Sequence, residues 1–283
     1  MDTSTLETSA FEAFEATGWQ RQATGYDSFF RPITTRPAGA LLDAARVTGG
    51  MRVLDVGTGP GYVAGRATER GAAATGVDIA PAMIAIARTA WPAAQFRTAD
   101  AHDLPFPSGS FDAVVANFAI LHLGRPELAA REFARVLAPG GRVALTAWAE
   151  PERTPMLGAV ASALAACGAR PPADIPAGPP FFRFAADEEL RDLLHGSGLA
   201  DATVETLEYT HIVGDADEVW NGILHGTVRT SALILRQPAR VQRRIHVAFR
   251  EVLESYRAGE TIDLPVAVKL AAATLSADMS VRQ

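Results

Sequence analysis

VLDVGTGPG, from Val53 to Gly61, is the stretch whose reading decides the fold. An apolar, β-branched strand ends at Asp55, glycines follow at 57, 59 and 61, and then comes the helix-forming run YVAGRATER. Glycines at alternate positions let the backbone turn sharply and let a ligand lie against bare main chain, where a Cβ would collide. The helix that follows aims its free N–H groups and the positive end of its dipole at the turn. This is a cradle for a nucleotide-type cofactor.

Spacing decides which cofactor. A dinucleotide fingerprint would put its third glycine at position 62, which is Tyr62, and Pro60 has removed one backbone N–H from the loop. Asp55 adds a carboxylate that repels a diphosphate and welcomes an ammonium or sulfonium group. The pattern D-x-G-x-G-x-G resembles the first motif of class I S-adenosylmethionine (SAM)-dependent methyltransferases.

Further signals follow in order. AAATGVDI reads as a second strand whose terminal Asp78 lies 23 positions after Asp55. An acid at about 20 residues beyond the first turn accepts hydrogen bonds from ribose hydroxyls. A helix N-cap is the other reading, since APAMIAIAR begins just after it, and both roles are compatible. AQFRTAD reads as a third strand ending at Asp100, and FDAVVANFAI as a fourth, buried on both faces. RPELAAREFARV then reads as a helix, Pro139 to Gly141 as a turn, and the following residues as a fifth strand ending at Trp148.

From Ala94 to Leu123 the sequence is similar to the ubiquinone/menaquinone-type and "type 11" methyltransferases, with the form AD-A-x-x-LPF-xxxx-FD. The resemblance runs in register over roughly residues 15 to 150. It implies that Asp100 and Ala101 face the adenine and that Asn117 lies beside the methionine part. It also implies a lid over the cofactor from the N-terminal helical segment. The cofactor-binding set it implies is Tyr26, Asp55, Gly57, Thr58, Gly59, Gly61, Asp78, Ile79, Met83, Asp100, Ala101, His102, Asn117, Phe118 and His122.

Alternating strands and helices imply an α/β fold: a Rossmann-like, seven-stranded, mostly parallel sheet with helices on both faces. Right-handed crossovers bring the strand ends carrying these acids to one edge, where open α/β sheets bind ligands. The expected organisation is a helical lid over 1–40, the cofactor core over 41–150, and the remaining core over 151–283. The last part carries a proline-rich loop, RPPADIPAGPPFFRF, and a helical pair inserted at about 215–258, before the last strand. Loops of that length within a domain are often functional. Trp19, Tyr26, Trp148, Phe181, Phe182 and His225 are the candidates for the acceptor side. Trp19 and Tyr26 also read as simple packing of their helix.

At 283 residues, 48% hydrophobic and 20% charged, the composition is that of a soluble globular protein. No apolar run has the length of a membrane span. One cysteine, Cys167, excludes an internal disulfide and suits a reducing cytoplasm. The net charge of −6 argues against a nucleic-acid partner. NFAI also lacks the two prolines usual in amino-methylating nucleic-acid enzymes. The arginines of the insertion read as an anion site or, preferably, as a solvated helix face. No histidine–carboxylate spacing suggests a metal.

The expected function is transfer of a methyl group from SAM, leaving S-adenosylhomocysteine. The acceptor is an oxygen or nitrogen, less readily a carbon, of a small apolar or aromatic metabolite in specialised biosynthesis. Positioning supplies most of the acceleration of such a transfer. His225 is the candidate general base. The alternative is a methyltransferase-fold enzyme that cyclises or isomerises its substrate with SAM as a non-reacting cofactor. A monomer or homodimer is expected.

Overall fold

Strand β1 (Arg52–Val56) buries four of its five residues, as a strand at the middle of a two-faced sheet must. It is flanked by β2 (Ala73–Asp78) and β4 (Phe111–Asn117), both parallel to it. β3 (Gln95–Thr98) adds outside β2 and β5 (Leu137–Trp148) outside β4, again in parallel. β8 (Thr261–Thr274) and β6 (Ala200–Val213) complete the order β3-β2-β1-β4-β5-β8-β6. A two-residue strand, β7 (Arg257–Ala258), pairs antiparallel with β8, so the sheet counts eight strands. These elements are seen in a computed structural model that describes residues 3–277.

The helices lie in the order the alternation requires: α1 (Thr3–Thr34), α2 (Ala38–Ala44), α3 (Tyr62–Glu69), α4 (Pro81–Ala90), α5 (Pro126–Val136), α6 (Pro155–Ala166) and α7 (Asp187–Gly196). Between β6 and β7 the chain forms α8 (Ala216–Gly226), α9 (Arg229–Leu235) and α10 (Ala239–Glu254). The insertion is therefore three helices, not a pair; α9 stops at Leu235, three residues before Pro238, and α10 restarts just after that proline.

Two other expectations are corrected. Pro139 to Gly141 is not a turn between elements but lies inside β5, where the pairing with β4 slips between Phe111 and Ala113. Gly140 takes φ +79°, and the N–H of Gly140 and the carbonyl of Gly141 bond to Leu275, so the irregularity stays within a ladder. The fourth strand ends at Asn117 because Phe118 turns out of it at φ +54°, and Ile120–His122 forms a 3₁₀ turn.

The chain groups into two units that are discontinuous in sequence. The larger holds Thr34–Ala147, Pro179–Thr206 and the chain from Lys269; the smaller holds the chain through Ile33, Trp148–Gly178 and Leu207–Val268. The core of the larger unit is built from Val53, Leu54, Ala113 to Ala116, Val143 to Leu145 and Phe133, with Asp55, Thr146 and Lys269 among its buried polar residues. In the smaller unit α8 meets α1 closely enough that a Cβ on Gly222 would strike the Phe29 ring. No helix among the described residues is long and apolar enough to cross a membrane.

Candidate cofactor site

The glycine loop of the larger unit closes on itself. Thr58 donates its N–H to the Val77 carbonyl at 2.9 Å, Gly61 donates to the Thr58 carbonyl at 2.9 Å, and Gly59 donates to Asp78 Oδ2 at 2.9 Å. Pro60 has no N–H to give. A diphosphate would need these same donors, and the protein has already spent them.

Each glycine answers a different constraint. A side chain on Gly57 would run into Ala119, just beyond β4. One on Gly61 (φ +84°), the residue preceding α3, would come within 2.8 Å of the Phe96 ring and 2.9 Å of Ala87. A Cβ on Gly59 would meet no protein atom within 4 Å. Gly57 and Gly61 serve packing, and Gly59 keeps the main chain open.

Two carboxylates face this loop from below. Asp55 is buried; its Oδ2 accepts the Thr58 hydroxyl at 2.6 Å and the Ala64 N–H, in the first turn of α3, at 3.0 Å. Its Oδ1 is also buried and finds no hydrogen-bond partner among the described residues. Burial, with a smaller push from the Asp78 charge, raises the Asp55 carboxyl to about 6 against the pull of Thr58 and Ala64. Asp78 closes β2 and keeps part of its surface open. Its Oδ1 accepts the Ala80 N–H at 2.9 Å and its Oδ2 the Gly59 N–H. Burial raises its pKa too, opposed by those two amides and by the nearby His122. Asp78 does not cap α4, whose N-cap is Ala80 with no side-chain bond. With backbone amides on both oxygens, the Asp78 carboxylate still has lone-pair capacity for a hydroxyl donor.

At the next strand the chain leaves β3 at Thr98, two residues before Asp100, which is exposed. Asp100 Oδ1 accepts both the His102 N–H at 2.9 Å and a bond with His102 Nδ1 at 2.7 Å. That contact holds the Asp100 carboxyl below its usual range. His102 is buried while Asp100 is open, so the ring fixes an acid that would otherwise swing freely. Ile79, beside Asp78, exposes 41% of its surface and presents an apolar face at the same edge. Met83 is buried.

The end of β4 is a polar clamp that the sequence did not reveal. Asn117 Nδ2 donates to the Thr34 carbonyl at 2.8 Å, and its Oδ1 accepts the Thr146 hydroxyl at 2.7 Å. Thr146 Oγ1 in turn accepts the N–H of Phe118 at 2.9 Å. This holds Phe118, a buried non-glycine residue, in the left-handed region, a strained conformation that tends to cluster at functional sites. Asn117 is thus engaged in setting the backbone rather than free to turn outward. Just beyond, His122 meets the Phe181 ring at 6.3 Å, and Phe181 meets Phe182 edge-on at 5.1 Å. Both phenylalanines are half-buried. Arg183 anchors their segment through Glu127 at 2.7 Å and Glu189 at 2.8 Å.

The other acceptor-side candidates lie in the smaller unit. Trp19 donates to Glu15 at 3.1 Å and meets Tyr26 edge-on, while Tyr26 stacks on Phe30 at 5.5 Å. Trp148 is buried. His225 is exposed in the last turn of α8, and no carboxylate orients its ring among the described residues.

The larger unit therefore brings together Asp55, Thr58, Gly59, Asp78, Ile79 and the His122 region. Two carboxylates, one orphaned oxygen and an open glycine fit a ligand with hydroxyl donors and positive charge. Thr146 and Ala119 belong to the same edge and were missed, because nothing in their local sequence announces a clamp or a close approach.

Comparison with known proteins agrees with this chemistry. Residues 54–145 match the methyltransferase domain family. The chain is 42% identical over 118 residues to a demethylmenaquinone methyltransferase of Thermus thermophilus, covering 40% of this chain and 54% of that protein. It is 42% identical over 135 residues to the nocamycin O-methyltransferase of Saccharothrix syringae, covering 44% and 45%. The chain thus spans about half the length of the curated relatives it matches. Phosphoethanolamine N-methyltransferase 2 of Haemonchus contortus, solved with phosphomonomethylethanolamine and S-adenosylhomocysteine, shares the fold at TM-score 0.56 and 18% identity, over 94% of this chain and 60% of that one. By sequence, residues 54–145 are similar to the methyltransferase domain family, and the chain shares its fold with a solved methyltransferase.

Proposed function

We propose that the chain is a SAM-dependent methyltransferase acting on an oxygen or nitrogen of a small, largely apolar or aromatic metabolite. The observation that carries the cofactor assignment is the loop: the amides of Thr58, Gly59 and Gly61 are bonded internally while Asp55 and Asp78 stand beneath it. That arrangement disfavours a dinucleotide and favours a cationic nucleoside. SAM, when bound, supplies an activated methyl group on a sulfonium.

The chain's own residues would bind and orient. Asp78 would accept the ribose hydroxyls with the lone pairs its backbone partners leave. Asp55 would hold negative charge under the loop, Gly59 would admit the methionine part, and Asp100, braced by His102, would face the adenine. Phe181 and Phe182, beside His122, offer an apolar aromatic wall that suits a planar acceptor. The named substrates of the two relatives, a quinone precursor and a specialised metabolite, support the same acceptor class.

The deciding experiment is calorimetry with SAM, S-adenosylhomocysteine and NAD, followed by turnover of SAM to S-adenosylhomocysteine over a panel of phenolic, quinol and amine acceptors. Binding of both SAM species, weak binding of NAD, and acceptor-dependent turnover are expected. NAD binding in place of SAM would overturn the cofactor. SAM binding with product formed but no S-adenosylhomocysteine released would overturn methyl transfer. With an acceptor in hand, Phe182→Ala is expected to lower turnover without changing SAM affinity. His225→Ala, the variant for a general base, is expected to lower it about 10²–10⁴-fold.

A further inference from the structure

The chain between β3 and β4, residues 99–110, forms no strand or helix of its own, yet it carries Asp100. Ala99 donates its N–H to the Asp78 carbonyl at 3.0 Å, so the segment starts beside the acid of β2. Asp103 then donates to the Asp100 carbonyl at 3.2 Å and closes a turn with Asp100 at its first position. Two side chains of α5 grip the main chain just past that turn. The Leu104 N–H donates to Glu132 Oε2 at 2.9 Å. Arg135 donates to the Leu104 carbonyl at 2.9 Å and to the Phe106 carbonyl at 2.7 Å, and its own carbonyl accepts the Gly109 N–H at 3.1 Å. Glu132 and Arg135 hold each other by two parallel bonds, both of 2.6 Å.

This grip is separate from the packing of α5, which buries Ala129, Ala130, Phe133 and Val136. Glu132 and Arg135 are half-buried and spend their polar atoms on each other and on the backbone at 104 and 106. Their mutual bonds hold the Glu132 carboxyl below its usual range and the Arg135 guanidinium above its own, so both stay charged and both bind the backbone strongly.

We propose that Glu132 and Arg135 are positioning residues for base recognition: they set the turn from which Asp100 meets the exocyclic amino group of a purine, and so fix a preference for adenine. The assignment rests on the SAM reading. A nucleoside with its ribose on Asp78 and its methionine part at Gly59 carries its base toward β3, where Thr98 pairs with Asp78. There the Asp100 carboxylate accepts a hydrogen bond from an amino group and repels a carbonyl oxygen. A carboxylate on a loose turn would swing away from the wrong base, so discrimination requires the turn to be fixed beforehand. His102 fixes the side chain of Asp100, and the α5 pair fixes the main chain that follows it.

The test is calorimetry of the full chain with S-adenosylhomocysteine and its inosine analogue, in which a carbonyl replaces the adenine amino group, alongside hydrogen exchange over residues 99–110. Wild type is expected to prefer the adenosine ligand. Glu132→Ala, and Arg135→Lys, which keeps the charge but loses the fork, are each expected to cut that preference about tenfold and to speed exchange of the Leu104 amide. Glu132→Gln keeps an acceptor for Leu104 and is expected to retain most of the preference. Thermal melting checks folding; if Glu132→Ala does not fold, Arg135→Lys decides. Equal losses for both ligands overturn the assignment, as does an unchanged preference in folded Arg135→Lys. Failure of all three variants to fold overturns it too, because the pair would then belong to the fold. A wild type that binds neither ligand overturns the SAM reading and the assignment with it, whereas wild-type preference indifferent to the pair overturns the assignment alone.

Discussion

Asp55→Asn separates two tasks that one buried carboxylate combines. The Asp55 carboxyl rises from an ordinary 3.8 to about 6 because burial disfavours its charge. At about 1.4 kcal/mol per tenfold, that corresponds to about 3 kcal/mol of destabilisation when the group is ionised. The folded chain binds this proton more tightly than the unfolded chain does. The penalty is therefore absent below about pH 3.8, grows between 3.8 and 6, and is complete above 6. Asparagine keeps an oxygen for Thr58 and Ala64 but places an amide N–H where Oδ1 has no partner, at a cost of about 1–3 kcal/mol. The variant should thus be less stable than wild type near pH 4, and equal or more stable at pH 8. The stability difference should swing by about 3 kcal/mol across the window. Urea unfolding of both proteins at matched pH measures that swing. At pH 8 the variant should also lose affinity for SAM, more than for S-adenosylhomocysteine, since only SAM carries the sulfonium charge. Parallel stability profiles would show that no buried charge is carried at Asp55. Unchanged SAM affinity with the swing intact would leave Asp55 a loop clamp alone.

Gly59→Val and Gly61→Val should have opposite phenotypes: the first should abolish SAM binding with a modest loss of melting temperature, the second should destabilise the fold by striking Phe96 and Ala87. Equal melting losses in the two variants would refute the division of roles. Asp78→Ala removes charge-assisted bonds worth about 1.5–3 kcal/mol each, so SAM affinity should drop at least tenfold in calorimetry; an unchanged constant would make Asp78 a brace for Gly59 only. His102→Phe should weaken S-adenosylhomocysteine binding but spare its inosine analogue, which lacks the adenine amino group. Equal losses for both ligands would mean that His102 serves the fold and not the setting of Asp100.

The cofactor motifs were legible in sequence because each is local. Glycine spacing, a strand-terminal acid and a following helix all fall within one strand–turn–helix unit, where backbone sterics and amide donors act over a few residues. The strand order around Asp55 and Asp78 follows from the same alternation and the handedness of crossovers. What each glycine does was not legible. Gly57, Gly59 and Gly61 look alike in the string and are told apart only by Ala119, by open space, and by Phe96 with Ala87. Nor does the sequence show that Asn117 spends its amide on Thr34 and Thr146, 83 and 29 residues away. Pro-Gly-Gly is turn chemistry, so the sequence points to a turn where β5 in fact slips, and the Leu275 backbone keeps that slip in a ladder. Likewise, the tertiary structure alone decided that distant segments share a unit, as Pro179–Thr206 does with the sheet. The physical reason is common to these cases. Propensity and periodicity record what a residue requires of its neighbours in the chain, while burial, close approach and unmet hydrogen bonds depend on what folding brings from elsewhere.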